Sequence, residues 1–501
     1  MFALGLLVAC GGREPDEYPE PPPTPYEVQN YDYLPEPIPI YVSGIDHYDI
    51  RLTVDPVTRI VSGISSTTFT NRTGEPLETI VLRVFLNAFD EGSESYFPEL
   101  EQHIFRYGPS YGHMDILHVT MNNEDLAYDL TGTILILHPE EPLIPGETVH
   151  LVMQYSAYIP TIAHRTGAND KAMWFGMFLP VLAVFGEDGW ITPEYYPAGA
   201  PFVLGMASFE VEIITPVDYI VAGTGVMADE ITLTEADTRV AFFTASNARS
   251  FAFAISPYFK REHIATDGGD IHLYYYTDSL PIDNIIDIIS ASMEFLSARI
   301  GQYPFDHIRI VETDMFVSGV AFSNIIFVDT VSLSQPDAEA LTRMLGQQWF
   351  SNIVGSNPVT ESWLDRGLVR YITASFFYDQ PVALREHMMS EYALLASRED
   401  LYLQNRLGDF DNWHSYFQTH HVKSSLMFYS LNNIMGDELF WELVRQYFEI
   451  FYFQIGTGAD FMDLAEEIYG ESLEDFFSEW FAGGAVPTLR LQNENEDGLI
   501  P

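Results

Sequence analysis

Two residues between positions 340 and 371 have the chemistry of an anion-binding site: Arg343 and Arg366. Arg343 and Gln347 are four residues apart, a spacing that places both on one face of a helix. A guanidinium group stays protonated at any working pH, donates hydrogen bonds from a planar fork and has no lone pair to give a metal. The two arginines therefore favour recognition of a carboxylate or a phosphate, which arginine binds in a bidentate manner.

The stretch around Arg343 is predicted to be an amphipathic helix. Its start is indicated by a capping residue, a proline in the first turn and acids at the positive end of the dipole, which are Ser334, Pro336, Asp337 and Glu339. Large apolar side chains recur every four residues and form a buried stripe of Leu341, Leu345, Trp349 and Ile353. The residues at 343 and 347 fall on the opposite face. Gly355 and Pro358 end this helix, and a second helix that begins near Trp363 carries Arg366.

The surroundings of this pair resemble the alanyl aminopeptidase family of gluzincin zinc peptidases. The family carries H-E-x-x-H-Q-W-F, followed by N-P-V-x-E-x-W-L-D-E-G. Outside the ligand positions, this chain matches the pattern at Gln348, Trp349, Phe350, Asn357, Pro358, Val359, Glu361, Trp363, Leu364, Asp365 and Gly367. In the family, two histidines at i and i+4 and a later glutamate hold one zinc, and the glutamate between the histidines activates its water.

The positions that the resemblance assigns to zinc chemistry hold other residues in this chain. Arg343 and Gln347 stand where the family has its two histidines, and Arg366 stands in place of the third ligand. Met344 replaces the catalytic glutamate. The family norm is one zinc, but these substitutions predict no cofactor, no metal ligand and no catalytic residue.

Two further positions of the resemblance are also changed. The stretch at 317–324 is similar to the family's G-x-M-E-N, whose glutamate holds the amino terminus of the substrate, and Ala321 stands at that position. The family tyrosine that steadies the oxyanion aligns with His421, two residues before Lys423. The anchor for a substrate ammonium group is therefore expected to be absent.

The resemblance brings Arg343 and Arg366 to one place, and two interpretations of that pair remain open. Two guanidinium groups do not stay buried together without anionic partners, because an unpaired buried charge is costly. In the first interpretation, Asp365, Glu361 or other acids neutralise them in a closed salt-bridge network. In the second, a peptide carboxylate or a phosphate bridges them from outside.

Composition excludes several classes of partner. The chain has 23 Lys+Arg against 72 Asp+Glu, a formal net charge of −49, which argues against binding nucleic acid or an anionic membrane through a basic face. The acidic excess is compatible with a cationic partner, but a solvated acidic surface is the simpler interpretation. The length of 501 residues suffices for about two or three domains, and 47% hydrophobic residues allow large cores.

The start of the chain resembles a bacterial lipoprotein signal. The apolar run Leu7-Val8-Ala9 leads to Cys10, the one cysteine of the chain, as in a lipobox whose cysteine is lipidated. The alternative is a chance cysteine after an apolar start. Residues 11–44 are rich in proline and acid and are interpreted as an extended tether. Together they predict a lipoprotein anchored to the membrane on its extracytoplasmic side.

The remaining residues are predicted to form an α+β multidomain protein. Residues 45–258 alternate polar and apolar positions between turn signals, which indicates an N-terminal β-sandwich or saddle domain. Residues 259–487 resemble the family's thermolysin-like domain, with strands first and helices after, and 488–501 form an acidic tail. Strands are predicted at 271–276, 307–312 and 325–328, and helices at 283–300, 382–397, 422–434, 437–450, 460–469 and 473–482. In the β domain, the segment at 82–89 resembles the family's apolar strand that ends in N-A-F.

The histidines are the candidate ligands for a metal site at another place in the chain. His414, His420 and His421 lie close together in sequence, and His387 lies on another predicted helix. Adjacent histidines on regular backbone do not easily face one centre, and zinc needs three convergent ligands. These histidines are therefore interpreted as surface or lightly packed residues.

Three functions are compatible with these observations. The first is a non-catalytic homologue of zinc aminopeptidases with a binding or structural role toward peptides or proteins. The second is an active zinc aminopeptidase with relocated ligands. The third is a hydrolase that uses other groups, although no Ser-His-Asp spacing stands out. The first is favoured because the ligands, the base and the amine anchor differ together, and a fold alone does not carry a function.

Overall fold

The computed structural model describes residues 45–93, 98–186, 188–233, 237–266 and 268–490. The predicted lipidation site at Cys10, the predicted tether at 11–44 and most of the predicted acidic tail at 488–501 lie outside these residues. Among the helices that are described, none has the length and apolar character needed to cross a bilayer.

The N-terminal half consists almost entirely of β-strands. The strands are β1 (Asp46–Asp55), β2 (Ile60–Thr70), β3 (Ile80–Arg83), β4 (His113–Met121), β5 (Glu124–Asp125), β6 (Ala127–Thr131), β7 (Ile134–His138), β8 (Thr148–Tyr158), β9 (Thr166–Ala168), β10 (Met173–Phe175), β11 (Val181–Leu182), β12 (Phe185–Gly186), β13 (Gly189–Trp190), β14 (Ala207–Pro216), β15 (Ile220–Gly223), β16 (Val226–Leu233), β17 (Thr238–Ala248) and β18 (Phe253–Ser256). A short helix, α1 (Pro98–Ile104), interrupts them. The largest sheet has the order β16-β17-β14-β1-β2-β8-β4-β5, and two four-stranded sheets have the orders β15-β18-β10-β9 and β11-β3-β7-β6.

The alternation of residue types explains why these strands stack as layers. In β1, the side chains of Tyr48, Ile50, Leu52 and Val54 are buried while their neighbours face solvent, as a period of two requires. They share a core with residues of the smaller sheets, such as Leu82. The N-terminal half is thus a stack of sheets around one apolar core.

The C-terminal half begins with a small mixed sheet and continues as helices. Its strands are β19 (Lys260–Ile264), β20 (Asp270–Tyr275), β21 (His307–Thr313), β22 (Gly319–Phe322) and β23 (Ile325–Asp329). Its helices are α2 (Ile282–Arg299), α3 (Thr330–Ser334), α4 (Ala338–Trp349), α5 (Ser362–Phe377), α6 (Pro381–Leu395), α7 (Trp413–Phe417), α8 (Ser424–Met435), α9 (Asp437–Ile450), α10 (Gly458–Tyr469) and α11 (Glu474–Ala482). The sheet order is β19-β20-β21-β23-β22, with β22 antiparallel at the edge.

Most elements predicted for this half are confirmed to within two residues. The predicted strands correspond to β20, β21 and β23, and the predicted helices correspond to α2, α6, α8, α9, α10 and α11. One helix has a feature that the sequence did not predict. A π-helical turn, Gln418–Lys423, precedes α8, so the chain is already helical before residue 422.

The bounds of the helix that carries Arg343 differ from the prediction. Its N-cap is Asp337, whose carboxylate accepts from the Ala340 N–H at 3.0 Å, so the predicted cap at Ser334 is wrong. Ser334 instead ends the separate helix α3. The helix stops at Trp349, before the predicted end, because Phe350 has an extended backbone with φ −113° and ψ 105°, and Ser351 after it has a φ of +124°.

The predicted strand at 82–89 is also shorter than expected. The strand β3 ends at Arg83, and a 3-10 helix spans Phe85–Phe89. The Asn87 side chain explains the change, because its amide accepts from the Met114 N–H at 2.7 Å and donates to the Met114 carbonyl at 3.2 Å. These bonds tie the segment to β4 at its end rather than along a ladder.

One buried arginine joins the two halves through hydrogen bonds to main-chain carbonyls. Arg249, at the end of β17, donates to the carbonyls of Leu204, Asn352 and Ile353 at 2.9–3.1 Å, and also to the Gln454 carbonyl. Because the last three acceptors belong to the C-terminal half, this one side chain fixes the loop after α4 against the β-sheets.

Candidate functional site

One cavity of about 410 Å³ lies where the two halves meet, and its lining contains all the changed active-site positions identified from the sequence. These positions are Ala321, Arg343, Met344, Gln347, Arg366 and His421. The other walls come from the loop at 198–204, the end of β17, and the edge strand β22. Residues far apart in sequence therefore converge on one site.

Helix α4 is held so that its polar face points into this cavity. The buried Gln348 side chain accepts from the Asn324 N–H at 3.1 Å and donates to the Phe322 carbonyl at 3.0 Å, which ties the helix to β22 and the turn after it. Leu341 and Leu345 face the core on the other side. As predicted, Arg343 and Gln347 lie on the face opposite that stripe.

Met344, at the position that the sequence resemblance assigns to a catalytic glutamate, is an apolar residue packed against the sheet. Its side chain is 3% exposed and packs over β22, where a Cβ at Gly319 would collide with the Met344 sulfur and the Phe327 carbonyl. The glycine is needed so that the strand can approach the thioether. A thioether accepts hydrogen bonds only weakly and does not remove a proton from water, so this position offers no general base.

Arg343 is half-buried and makes no ion pair or hydrogen bond with any residue that the structure describes. Burial and the nearby Arg370 lower the pKa of its guanidinium, with Glu339 and Asp337 acting in the opposite direction. Arg370, one turn beyond Arg366, provides a contrast. It donates to both oxygens of Glu391 at 2.8 and 3.2 Å. Arg370 is thus paired with a carboxylate, whereas Arg343 is not paired with any among the described residues.

Arg366 has one weak partner of opposite charge. Its Nη2 lies 3.7 Å from Asp365 Oδ2, and that oxygen already accepts from Ser351 Oγ at 2.7 Å. Burial disfavours the charge on Arg366, but Asp365 and the Tyr416 hydroxyl outweigh burial and raise the pKa of the guanidinium. Asp365 Oδ1 is buried and has no hydrogen-bond partner. The pair is loose rather than a closed fork.

The surroundings of His421 disfavour the protonated form of its imidazole. Burial, followed by the charges of Arg366, Arg343 and Arg370, holds its pKa well below the usual value. The ring stacks on Phe417 with the centroids 4.7 Å apart, and its Nδ1 has no hydrogen-bond partner. The site therefore contains an uncharged imidazole surrounded by cations.

Two more arginines line the cavity, and the sequence did not single out either as a site residue. Arg165 donates to the carbonyls of Pro197 and Gly199, and Arg249 donates to the carbonyls described above. Arg165 begins the stretch Arg165-Thr166-Gly167, which is similar to an R-x-G of the alanyl aminopeptidase family and could have indicated it. Arg249 had no local signal, because its acceptors are distant in sequence.

The cavity is strongly positive within an acidic protein. Four arginines line it, at 165, 249, 343 and 366, against the single carboxylate of Asp365, which leaves three positive charges uncompensated (4 − 1). Glu361, one of the acids expected to neutralise the pair, accepts from the Gly458 N–H at 2.9 Å instead. The closed salt-bridge network is therefore not formed among the described residues.

The residues of this cavity do not fit a zinc ion. Arg343 and Arg366 have no lone pairs to donate, and Gln347 offers only a neutral amide oxygen. Three positive charges at the same place repel a dication. Zinc chemistry accordingly has no protein ligands at the family's position.

One other group of metal-binding side chains occurs in the part of the chain that the structure describes. His263, Asp270 and His272 have ligand atoms within 4.8 Å of one another on the hairpin of β19 and β20, outside the cavity. His263 and His272 are cross-strand partners. The histidines singled out from the sequence form no metal-binding group among the described residues, and His420 is hydrogen-bonded to the Asn405 carbonyl at 3.0 Å. Their interpretation as surface or lightly packed residues is wrong for His420 and His421, because both are buried.

Comparisons with known proteins agree with this architecture. Residues 293–480 match the peptidase family M1 domain. Aminopeptidase O of Rattus norvegicus and of Mus musculus are each 21% identical, over 249 and 251 residues. Each match covers 42% of this chain and 30% of the relative, so the chain spans well under half the length of these curated relatives.

Solved structures show the same fold over most of the chain. The M1 zinc metallopeptidase from Deinococcus radiodurans has a TM-score of 0.67 at 16% identity, covering 90% of this chain and 96% of that one. A mutant of that metallopeptidase bound to a Tyr-Ser-Ala substrate has the same TM-score and identity, with coverage of 89% and 95%. The predicted fold class, a sheet-rich N-terminal domain followed by a peptidase-like domain, is confirmed.

Proposed function

Because residues 293–480 match the peptidase family M1 domain, we propose that this protein is a non-catalytic member of that family which binds a peptide or a protein segment in the cavity. One observation carries the proposal. The positions of the zinc ligands and of the general base line an accessible cavity, but they are occupied by Arg343, Met344, Gln347 and Arg366. The shape of a peptide site is retained, and the groups that would cleave the peptide are replaced.

The chemistry of the lining supports binding without hydrolysis. Hydrolysis of a peptide requires an activated water and stabilisation of a developing oxyanion. Met344 offers no base, and the neutral His421 is enclosed by positive charges that disfavour its taking up a proton. The arginines can hold and orient an anionic group, which is a binding role.

The alternative function is an active zinc aminopeptidase with relocated ligands. The triad of His263, Asp270 and His272 is the observation in its favour, since two imidazoles and a carboxylate are a ligand set that zinc accepts. However, this triad lies on a solvent-facing hairpin and not in the cavity. A metal held there would be separated from the groove that fits a substrate, so we consider this function less well supported.

A proposal on location follows from the start of the sequence. We infer that Cys10 is lipidated and that the folded part is held outside the cytoplasmic membrane by the proline-rich segment. The net charge of −49 then belongs to a surface facing an extracytoplasmic medium. No nucleic acid is expected as a partner.

The proposed function is tested by metal analysis and by peptidase assays on the full chain. We expect no stoichiometric zinc in the cavity and no hydrolysis of amino-acid anilides. The matched control is the double variant His263→Asn with His272→Asn, which removes the two imidazole ligands of the hairpin and leaves the cavity unchanged. One zinc per chain that persists in this variant, together with hydrolysis that a chelator abolishes, would contradict the proposal.

A further inference from the structure

We propose that the cavity selects peptides by a carboxylate, the C-terminal carboxylate in the simplest case, held between Arg343 and Arg366. This inference rests on the proposed function and adds the chemical class of the ligand. Three observations support it: the arginines that still have hydrogen-bond donors to offer, the shortage of acidic partners for them, and the apolar residues in the rest of the lining.

The four arginines of the cavity divide into two kinds. Arg165 and Arg249 donate from both Nη atoms to main-chain carbonyls and hold the walls together, and the Arg165 Nε, which has no partner, is buried and closed to a ligand. Arg343 has no partner among the described residues, and Arg366 has Asp365 at 3.7 Å and the Tyr416 hydroxyl. Donor capacity is therefore left at Arg343 and Arg366, the two arginines that occupy former ligand positions.

The surroundings of these two arginines do not supply the missing anion. Asp365 Oδ2 accepts from Ser351, and Glu361 is directed at Gly458. A guanidinium removed from water without an anionic partner loses hydration that nothing in the protein replaces. An anion from outside restores those interactions, and a guanidinium recognises a two-oxygen group with two parallel hydrogen bonds.

The remaining lining argues for a peptide rather than for a small inorganic anion. Apolar and aromatic side chains form much of the wall, including Met177, Phe202, Phe316, Trp413 and Phe417. A volume of about 410 Å³ is within the range of ligand pockets and far exceeds a phosphate ion. A peptide end fills it, with the carboxylate on the arginines and one or two side chains against the apolar walls.

The same charges act against the opposite end of a peptide. An α-ammonium group would enter a lining with three uncompensated positive charges, and Ala321 leaves no carboxylate at the position that resembles the family's amine anchor. Like charges in a poorly hydrated cavity repel strongly. We infer that a peptide enters the cavity with its C-terminal end. The family's amine anchor would instead hold the amino terminus.

The inference is tested by titrating two labelled peptides that differ at one end. The probe is N-acetyl-Ala-Leu-Phe with a free C-terminal carboxylate, and its partner is the same peptide as the C-terminal amide. Fluorescence anisotropy should show at least tenfold weaker binding of the amide. Equal binding of the two peptides would overturn the inference, and so would inorganic phosphate displacing the acid peptide at equal concentration.

Variants of the full chain locate the site. Arg343→Gln and Arg366→Gln should each weaken binding of the acid peptide at least tenfold, while leaving the already weak binding of the amide unchanged. Arg445→Gln is the control, because Arg445 is half-exposed and pairs with Glu442 on helix α9, away from the cavity. Circular dichroism and the melting temperature check that each variant is folded. Loss of binding in the control but not in the cavity variants would overturn the assignment.

The outcomes separate this inference from the proposed function. If the protein contains no zinc and hydrolyses nothing but binds neither peptide, the inference fails and the non-catalytic assignment stands. If zinc-dependent hydrolysis is found, the proposed function fails whatever the peptides do. Binding of the acid peptide that depends on both arginines supports the inference directly.

Discussion

The Ser351 hydroxyl donates a 2.7 Å hydrogen bond to the Asp365 carboxylate, which keeps the single acid of the cavity on the wall and away from its centre. Ser351 reaches this place because its φ of +124° turns the chain sharply after α4. The carboxylate is therefore shared between a hydroxyl and, at 3.7 Å, the guanidinium of Arg366. This arrangement leaves the positive charge of the site only partly compensated.

Asp365→Asn should strengthen binding of the acid peptide. The amide keeps an oxygen for Ser351 but removes the negative charge beside Arg366, and one charge at this range is worth about 1 kcal/mol in a partly hydrated site, about fivefold in affinity. Anisotropy titration of N-acetyl-Ala-Leu-Phe measures the change. Glu442→Gln, a surface change of the same kind, should have no effect. Unchanged or weaker binding in Asp365→Asn would show that the acid does not oppose the ligand.

Arg343→Met and Arg370→Met should have opposite effects on stability. Arg343 has no partner among the described residues, so replacing it by an unbranched apolar side chain should leave the free energy of unfolding unchanged or raise it by about 1 kcal/mol. Arg370→Met strands the Glu391 carboxylate, whose side chain is 11% exposed, and should cost about 3 kcal/mol. Urea denaturation followed by circular dichroism compares them. A larger loss in Arg343→Met would mean that Arg343 is paired in solution.

Glu361→Gln should stabilise the protein at alkaline pH and not in acid. Burial first, and then the charge of Asp460, raise the pKa of Glu361 to about 7 from its usual 4.5, despite the hydrogen bond from Gly458. Below the unfolded pKa both states hold the proton. As the pH rises toward 7 the unfolded state loses it first, so the wild-type protein loses stability across this window and remains less stable above it.

Glutamine carries no such penalty, so the gain at pH 8 should be at most about 3 kcal/mol and should vanish near pH 4.5. Melting temperatures of the two proteins at both pH values provide the measurement. Glu467→Gln, a change at an exposed acid on the same helix α10, serves as the comparison. A gain of equal size at both pH values would show that Glu361 does not titrate in this window.

Restoring the family residues should restore a zinc site. A variant with Arg343→His, Met344→Glu, Gln347→His and Arg366→Glu places two imidazoles at i and i+4 of α4 and a carboxylate on α5. We expect about one zinc per chain by emission spectroscopy. The same variant without Gln347→His lacks a ligand and should bind zinc much more weakly. A zinc-free quadruple variant would show that the two helices no longer converge at the required distance.

Cys10→Ser should release the protein into the soluble fraction. The lipid would be attached through the cysteine thiol, which serine does not offer, and the remaining chain has no second cysteine to replace it. Fractionation of cells followed by immunoblotting provides the measurement. Thr24→Ser, within the proline-rich segment, should leave the protein in the membrane fraction. A wild-type protein that is already soluble in the cytoplasm would contradict the proposed location.

Local patterns were sufficient to predict most of the fold. The burial of Leu341, Leu345 and Trp349 and the orientation of Arg343 followed from a period of four residues, which is a property of the helix itself. The end of α4 did not follow. Gly355 and Pro358 predicted the end of the helix, but the extended backbone of Phe350 ends it earlier, and residue type does not reveal that backbone conformation.

The parts of the site that were missed depend on long-range placement. Arg249 lines the cavity because β17 and the loop after α4 meet in space, and nothing near residue 249 in sequence indicates this. The pairing of His263 with His272 required the register of a hairpin. The two histidines stand on either side of Gly268 and Gly269, which indicate a turn. This arrangement could have predicted that the histidines face each other across a hairpin.

The bonds of Arg249 also have a consequence for the kinetics of the molecule. Its acceptors in the C-terminal half lie 103 to 205 residues along the chain, so these bonds exist only while the two halves are docked. Bonds that are absent from the folding transition state slow unfolding and barely change the folding rate. Because the same side chain is part of the cavity, separation of the halves would also dismantle the binding site. If the proposed peptide binds only the docked form, the peptide and the docked interface stabilise each other by the same factor, as thermodynamic linkage requires. The unfolding rate of the protein then reports whether a peptide is bound.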